Sequence, residues 1–385
     1  MRFTKKIYPY GKQSISLKDI FEVIKVLKSS WLTQGPKIKE FEDNLCKYTG
    51  AKYAVVVSNG TAALHLAMLV LDVKKGNEVI TSPNTFLASA NCVLYAGGNV
   101  KFADIDETTA CIDPIEIKKQ ITPNTKGIIP VHFAGQSCDM EEIYNIAQEN
   151  NLFVVEDAAH AIGSEYKDSK VGSCKYSDMT IFSFHPVKTL TTGEGGAITT
   201  NNKELYEKLL MLRSHGMTKD PEMLTRNDGS WYYEMQTLGY NYRITDIQAA
   251  LGVSQLKRLD KFVKRRREIV EFYQNAFRKD ERFSYLEEKN YSKAAFHLFP
   301  LLINFDQIKM NKLEVFEVLK SQGLFLQVHY IPVHTQPYYT NLGYNVGDYP
   351  KTENYYKRAL SLPLYPKLSI KDQKYVVMKL KETIV

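Results

Sequence analysis

The chain has 385 residues, 44% of them apolar, a formal charge of +7 and five scattered cysteines (Cys46, Cys92, Cys111, Cys138, Cys174) without CxxC or metal-like spacing. That length and composition exclude a disordered chain and suit one large domain plus a smaller one. No run approaches the ~20 apolar residues of a membrane span, so a soluble, cytoplasmic protein with reduced thiols and neither disulfide nor zinc is expected.

Met1 to Lys6 mixes charged and polar residues with no apolar run behind it. From Ala51 to Thr200 short β-branched runs alternate with helical patterns, as in an α/β sheet covered by helices. The expected strands are Ala54 to Ser58, Glu78 to Ser82, Val100 to Ile105, Gly127 to Phe133, Phe153 to Asp157, Met179 to Phe184 and Gly196 to Thr200. Most are continuous apolar runs, the pattern of strands buried on both faces, which predicts a mostly parallel sheet.

The first strand leads through Ser58-Asn59-Gly60-Thr61 into an alanine-rich helix. Free N–H groups and the positive dipole end at such a helix start bind phosphate, and glycine lets the anion approach, so Gly60 and Thr61 are the candidate clamp. Taken alone this turn is weakly specific, and without a full GxGxxG it argues against a dinucleotide fold. Phe86, after the second strand, could stack on a flat ring or fill the core. Val154-Val155-Glu156-Asp157 is an apolar strand ending in acids. The carboxyl ends of strands in open α/β sheets face the ligand crevice, where Asp157 could keep a pyridine nitrogen protonated. His160 could pack on that ring, bond its 3-oxygen, or be a structural histidine.

Ser183-Phe-His-Pro-Val-Lys188 then leaves a strand and enters a turn with glycines at 193, 195 and 196. Pro186 stiffens the path and the glycines allow close backbone approach, so Lys188 is positioned. A lysine in a buried cleft loses its proton more readily and can form a Schiff base with an aldehyde; a loop lysine beside a turn is the plain alternative. Beyond Asn241 the pattern turns helical to about Arg278, followed by an α+β tail with His297 to Ile303, Leu324 to Tyr330 and a helix near the C-terminus. The expected division is a large α/β unit over 1–258, including the N-terminal segment, and a small α+β unit over 259–385. The basic run Lys257 to Arg267 reads as the solvated face of a long helix, since Leu259, Phe262 and Val263 recur at helical spacing.

These motifs together resemble the fold-type I pyridoxal-phosphate sugar aminotransferases of the DegT/DnrJ/EryC/StrS family, from Trp31-Leu-Thr-Gln-Gly35 to Leu360-Ser-Leu-Pro-Leu364. Four ordered motifs carry the likeness: Glu156-Asp157-Ala-Ala-His160, Ser183 to Gly196, Gly239-Tyr-Asn-Tyr-Arg243 and Val328-His-Tyr330. The resemblance implies an aspartate aminotransferase-like fold and pyridoxal 5'-phosphate as cofactor. It makes Lys188 the Schiff-base lysine, Asp157 the pyridinium partner, His160 the residue at the ring's oxygen side and Phe86 the stacking aromatic. Gly60, Thr61 and Ser183 become phosphate ligands, and Asn241 a ligand reaching in from a second subunit, hence a homodimer with shared sites.

Within the family, Arg213-Ser-His-Gly-Met217 and Gln327-Val-His-Tyr330 are similar to members that pass an amino group from L-glutamate to C4 of a UDP-linked 4-keto-6-deoxy-N-acetylhexosamine in pseudaminic acid synthesis. Another nucleotide-sugar aminotransferase of the family is the alternative. The same resemblance places Tyr10, Ser30, Trp31, Leu32, Thr33, Gln327, Val328, His329 and Tyr330 against substrate. A sugar 3-dehydratase of this family carries histidine where this chain has Lys188, which disfavours dehydration. A non-catalytic nucleic-acid-binding regulator has only the basic run in its support.

Overall fold

A computed structural model describes residues 6–384. Its centre is a seven-stranded sheet of β1 (Tyr53–Val57), β2 (Glu78–Thr81), β3 (Asn99–Phe102), β4 (Thr125–Ile129), β5 (Phe153–Asp157), β6 (Met179–Ser183) and β7 (Gly196–Thr200), in the spatial order β1-β7-β6-β5-β4-β2-β3. Only β7 runs antiparallel to its neighbours, pairing Gly196 with Val57 on one side and with Ser183 on the other. The remaining pairs are parallel. Strand β5 is buried from end to end, which is why its apolar residues do not alternate with polar ones.

The helix Gly60–Val70 packs behind the sheet and is buried on nearly every face, from Ala62 through Met68. Two expected strands end three or four residues early. The run expected to reach Phe133 stops at Ile129, because Pro130 has no N–H for the ladder and Phe133–Gly135 turns into a short 3-10 segment. The run expected to reach Ile105 stops at Phe102, and Ile105 instead bridges Ile112 beside the sheet. Its apolar residues are buried by this local return of the chain, so hydrophobicity alone overstated the ladder.

A boundary between units of 1–258 and 259–385 is proposed at the turn between the helices Asp246–Leu256 and Leu259–Phe277. Beyond it, Phe283–Tyr285, Pro300–Ile303 and Ala359–Ser361 form a three-stranded antiparallel sheet. This sheet shares a core with residues from Leu259–Phe277, Lys312–Ser321 and Ile370–Thr383. Contacts cross the boundary both ways. Tyr8–Pro9 pairs in parallel with Leu324–Phe325, and Tyr8 lies in the C-terminal core, so the N-terminal strand packs with the small unit. In return Val333, Tyr339 and Tyr349 are buried in the core behind the large sheet.

The basic run is a solvated face at its lysines but not at its arginines. Lys257, Lys261 and Lys264 are exposed, but Arg266 is buried and donates to the carbonyls of His297 and Leu364. Arg258 is tied to the buried Asp19, and Arg267 to Glu288. These arginines staple elements distant in sequence, a use of guanidinium donors that charge density alone does not reveal.

Candidate active site

A cavity of about 860 Å³ opens at the carboxyl ends of β5 and β6 and at the start of the helix Gly60–Val70. It gathers Tyr10, Gly60, Thr61, Phe86, Asp157, His160, Ser183, Lys188 and Gln327 to Tyr330. The chain does not bring Asn241 or Ser30 to Thr33 to this cavity; all five are exposed, with Trp31 at 56% and Leu32 at 48%.

At one end Asn59 caps the helix, its side chain accepting from the Ala62 amide at 2.8 Å. The Gly60 and Thr61 amides ahead of it remain for a ligand at the positive end of the helix. A Cβ on Gly60 would lie 3.0 Å from Ser183 Cβ, and one on Gly196 only 2.5 Å from the Asn59 carbonyl oxygen. The glycines therefore let β6, β7 and the helix start converge into one cradle whose free amides and Ser183 hydroxyl suit a phosphate.

Lys188 follows this cradle. Its amide donates to the His185 carbonyl at 2.9 Å, and the turn closes through Thr192 to Phe184 at 3.0 Å and Gly193 at φ 85°. Desolvation pulls its ammonium down from the usual 10.5 to about 8, against the opposing pull of Asp157. A nucleophilic amine needs the neutral form, whose share grows as pH rises through that value. In cofactor-free protein, attachment of an aldehyde cofactor followed by stopped-flow absorbance should therefore accelerate up to about pH 8 and then level off. Acceleration continuing toward the usual lysine value would show that the cavity does not tune this amine.

Asp157 is held by its own motif and by a serine the motifs did not reveal. Its Oδ1 accepts from the Ala159 amide at 3.0 Å and its Oδ2 from Ser89 Oγ at 2.6 Å. Ser89 Oγ also lies 2.7 Å from Thr85 Oγ1. A carboxylate only accepts, so Ser89 spends its single proton on Asp157 and the Thr85 hydroxyl donates to Ser89. Ser89→Ala would leave the Asp157 oxygen and the Thr85 hydroxyl without these partners, costing about 1 to 3 kcal/mol. We expect a lower thermal midpoint and weaker cofactor retention; unchanged values in both would show that the relay does not hold Asp157. Ser89 lies 68 residues from Asp157, and the pattern Thr85-x-x-x-Ser89 on a turn entering a helix is its only trace in the sequence.

Four imidazoles line the same space; His185 is exposed, and the other three are buried. His160 Nε2 meets Tyr330 Oη at 2.9 Å, and the His297 ring lies 4.5 Å from that of His160. His329 Nδ1 meets Ser361 Oγ at 2.8 Å, and its ring lies 4.9 Å from Tyr10. Burial, reinforced by Lys188, keeps all three neutral, with His329 pushed down to about 3. Phe86 stands at the rim, 57% exposed and 6.1 Å from the Tyr330 ring. That exposure speaks against its being core packing. His297 is a further cavity residue the motifs did not single out.

A seven-stranded sheet with one antiparallel strand, a helix start presenting free amides and a lysine opposite a buried aspartate define a fold-type I aminotransferase. Residues 13–381 match the model of the DegT/DnrJ/EryC1/StrS aminotransferase family, and the chain belongs to that family. It is 42% identical over 95% of both chains to a Campylobacter jejuni UDP-4-amino-4,6-dideoxy-N-acetyl-beta-L-altrosamine transaminase. Helicobacter pylori PseC, described as an aminotransferase of pseudoaminic acid biosynthesis, superposes with a TM-score of 0.91 at 33% identity, covering 98% of this chain and 99% of that one. The PLP form of a putative sugar aminotransferase, Spr1654 from Streptococcus pneumoniae, superposes at 0.90 with 32% identity over 98% of each chain.

Proposed function

We propose that this sugar aminotransferase uses pyridoxal 5'-phosphate to move an amino group from L-glutamate to C4 of a UDP-linked 4-keto-6-deoxy-N-acetylhexosamine. The observation that carries the reading is the pairing of Lys188, its ammonium pulled down to about 8, with the buried Asp157 across one cavity. The residues fit the cofactor. Gly60, Thr61 and Ser183 would hold its phosphate, Asp157 its ring nitrogen, His160 its ring oxygen, Phe86 its face and Lys188 its aldehyde carbon. When bound, the cofactor supplies an electron sink that makes the carbon–hydrogen bond of the amino acid acidic.

The chain's own part is to place and move protons. Lys188 Nζ would take the proton from the α-carbon of glutamate and pass it to the cofactor's aldehyde-derived carbon, and in the second half-reaction would take a proton back from that carbon and deliver it to C4 of the sugar. Asp157, fixed by Ser89 and the Ala159 amide, holds negative charge where a protonated ring nitrogen belongs. Gln327 and His329, which line the cavity with Tyr10, would contact the sugar nucleotide. Purified protein should aminate a UDP-linked 4-keto sugar with glutamate, and NMR of the product should show nitrogen at C4. Turnover confined to dTDP-linked sugars in the same panel would reassign the substrate within the family.

The proposal includes a homodimer with shared sites. Its support is the exposed Asn241, the exposed Trp31 and Leu32, and the outward apolar face of the helix Leu17–Leu27, where Leu17 is 84% and Phe21 58% exposed. A two-fold pair lends each site the same residue from its partner. Asn241→Glu, which sets a carboxylate against the phosphate, and Lys188→Ala should each be inactive. In a mixed dimer one site carries both lesions and the other neither, so random re-pairing should restore roughly a quarter of the activity. No recovery despite demonstrated subunit exchange would remove the shared-site model.

A further inference from the structure

Two segments that the sequence ties to the site, Ser30 to Thr33 and Asn241, lie outside this chain's cavity, and the structure joins them to each other. Thr33 forms an antiparallel bridge with Thr245, four residues beyond Asn241, and the Asp246 amide donates to the Leu32 carbonyl at 3.0 Å. The Asp246 carboxylate reaches across the same junction. Its Oδ2 accepts from the Gly35 amide at 2.7 Å and its Oδ1 from the Lys37 amide at 2.9 Å. We infer that Asp246 is a positioning residue that locks the two segments into one arm, which the chain lends to its partner's site so that Asn241 meets the cofactor phosphate and Trp31 to Thr33 meet the sugar nucleotide. This rests on the shared-site reading above.

The junction is built for close approach as well as for capping. The helix Pro36–Thr49 begins at Gly35, which offers no side-chain cap, and its first amides are served instead by a carboxylate 211 residues away. A serine or aspartate in place of Gly35 could cap locally, but its Cβ would lie 2.5 Å from Trp31 Cβ and 2.8 Å from Asp246 Oδ1. The bare glycine lets Trp31 fold back onto the helix start, and the distant carboxylate replaces the cap that glycine cannot carry.

The arm is anchored below and free above. Asp246 is fully buried, while Ser30 to Thr33 and Asn241 are exposed. Next to Asn241, the Tyr242 amide donates to the Arg213 carbonyl at 3.1 Å, and the Tyr242 carbonyl accepts from the Ser58 amide at 2.8 Å, at the exit of β1. Both outward segments are thus fixed by backbone bonds before a ligand arrives, which lowers the ordering cost of binding. Joined side by side they enter one site, and neither lines the cavity of its own chain, so that site is the partner's.

Asp246→Asn keeps one acceptor oxygen for two amides and turns an NH2 toward the other, so the arm loosens while Lys188 and Asp157 are untouched. In the loaded enzyme we expect KM for the UDP-linked 4-keto sugar to rise about fivefold or more, with the rate of bleaching by L-glutamate alone within about twofold of wild type. Equal loss in both half-reactions, or an unchanged sugar KM, overturns the inference. Gly35→Ala wedges a methyl between Trp31 and Asp246 and disturbs the same junction from the other side. It should give the same split, and it carries the test if Asp246→Asn does not fold.

A second readout asks in which site Asp246 acts. Differently tagged Asp246→Asn and Lys188→Ala chains are purified as a heterodimer. Its one lysine-bearing site lies in the Asp246→Asn chain and receives its arm from the Lys188→Ala chain, where Asp246 is intact. That site should show the wild-type sugar KM. A KM as high as in the Asp246→Asn homodimer would place Asp246 in its own chain's site and overturn the inference. The heterodimer of Asn241→Glu with Lys188→Ala is the control. A raised KM beside an active control sinks this inference alone, and an inactive control sinks the shared-site reading with it.

Discussion

Lys188→Ala should reduce turnover by at least about a thousandfold, because in the proposed mechanism the covalent tether and the group that moves the proton are the same amine. The variant should still fold, since Lys188 belongs to a loop closed by backbone bonds that do not use its side chain. It should also still bind pyridoxamine phosphate through Gly60, Thr61, Ser183 and Asp157. A second consequence separates loss of the amine from general damage. Lys188 contributes to the depression of His160, His297 and His329, so each of these imidazoles should titrate at a higher pH in the variant. Steady-state assays with histidine NMR check both, and retention of more than a tenth of kcat would mean another group moves the proton.

Asp157→Asn should be nearly as damaging, for two reasons that add. The amide carries no charge to hold a ring nitrogen protonated. It also has one acceptor oxygen where the carboxylate has two, so either the Ala159 amide or Ser89 loses its partner in a buried place. We expect a fall in kcat of about a hundredfold or more, with a loss of about 1 to 3 kcal/mol of stability from the unpaired donor. Near-normal kcat with lowered stability would reduce Asp157 to a structural residue.

Much of this site could be read before any coordinates because its chemistry sits at strand ends and in glycine turns, where local pattern and geometry coincide. Lys188, Asp157 and the Gly60 turn are of this kind. Ser89, Thr85 and His297 were not legible, since their roles come from contacts between segments remote in sequence and each residue type is common in cores and caps. The arginines of the basic run were misread for a related reason. A helical period shows that one face is apolar, but not that Arg266 is drawn under the small sheet to satisfy carbonyls. Asn241 and Ser30 to Thr33 were legible as motifs and lie outside the cavity of the single chain, the pattern a shared site would produce.

The central claim, that Lys188 and Asp157 serve a transamination cofactor, is tested most directly by spectroscopy of the reconstituted protein. Loaded with pyridoxal phosphate, it should absorb in the visible, bleach on addition of L-glutamate alone, and regain the band when a UDP-linked 4-keto-6-deoxy-N-acetylhexosamine follows. A visible band that glutamate leaves unchanged would contradict the account.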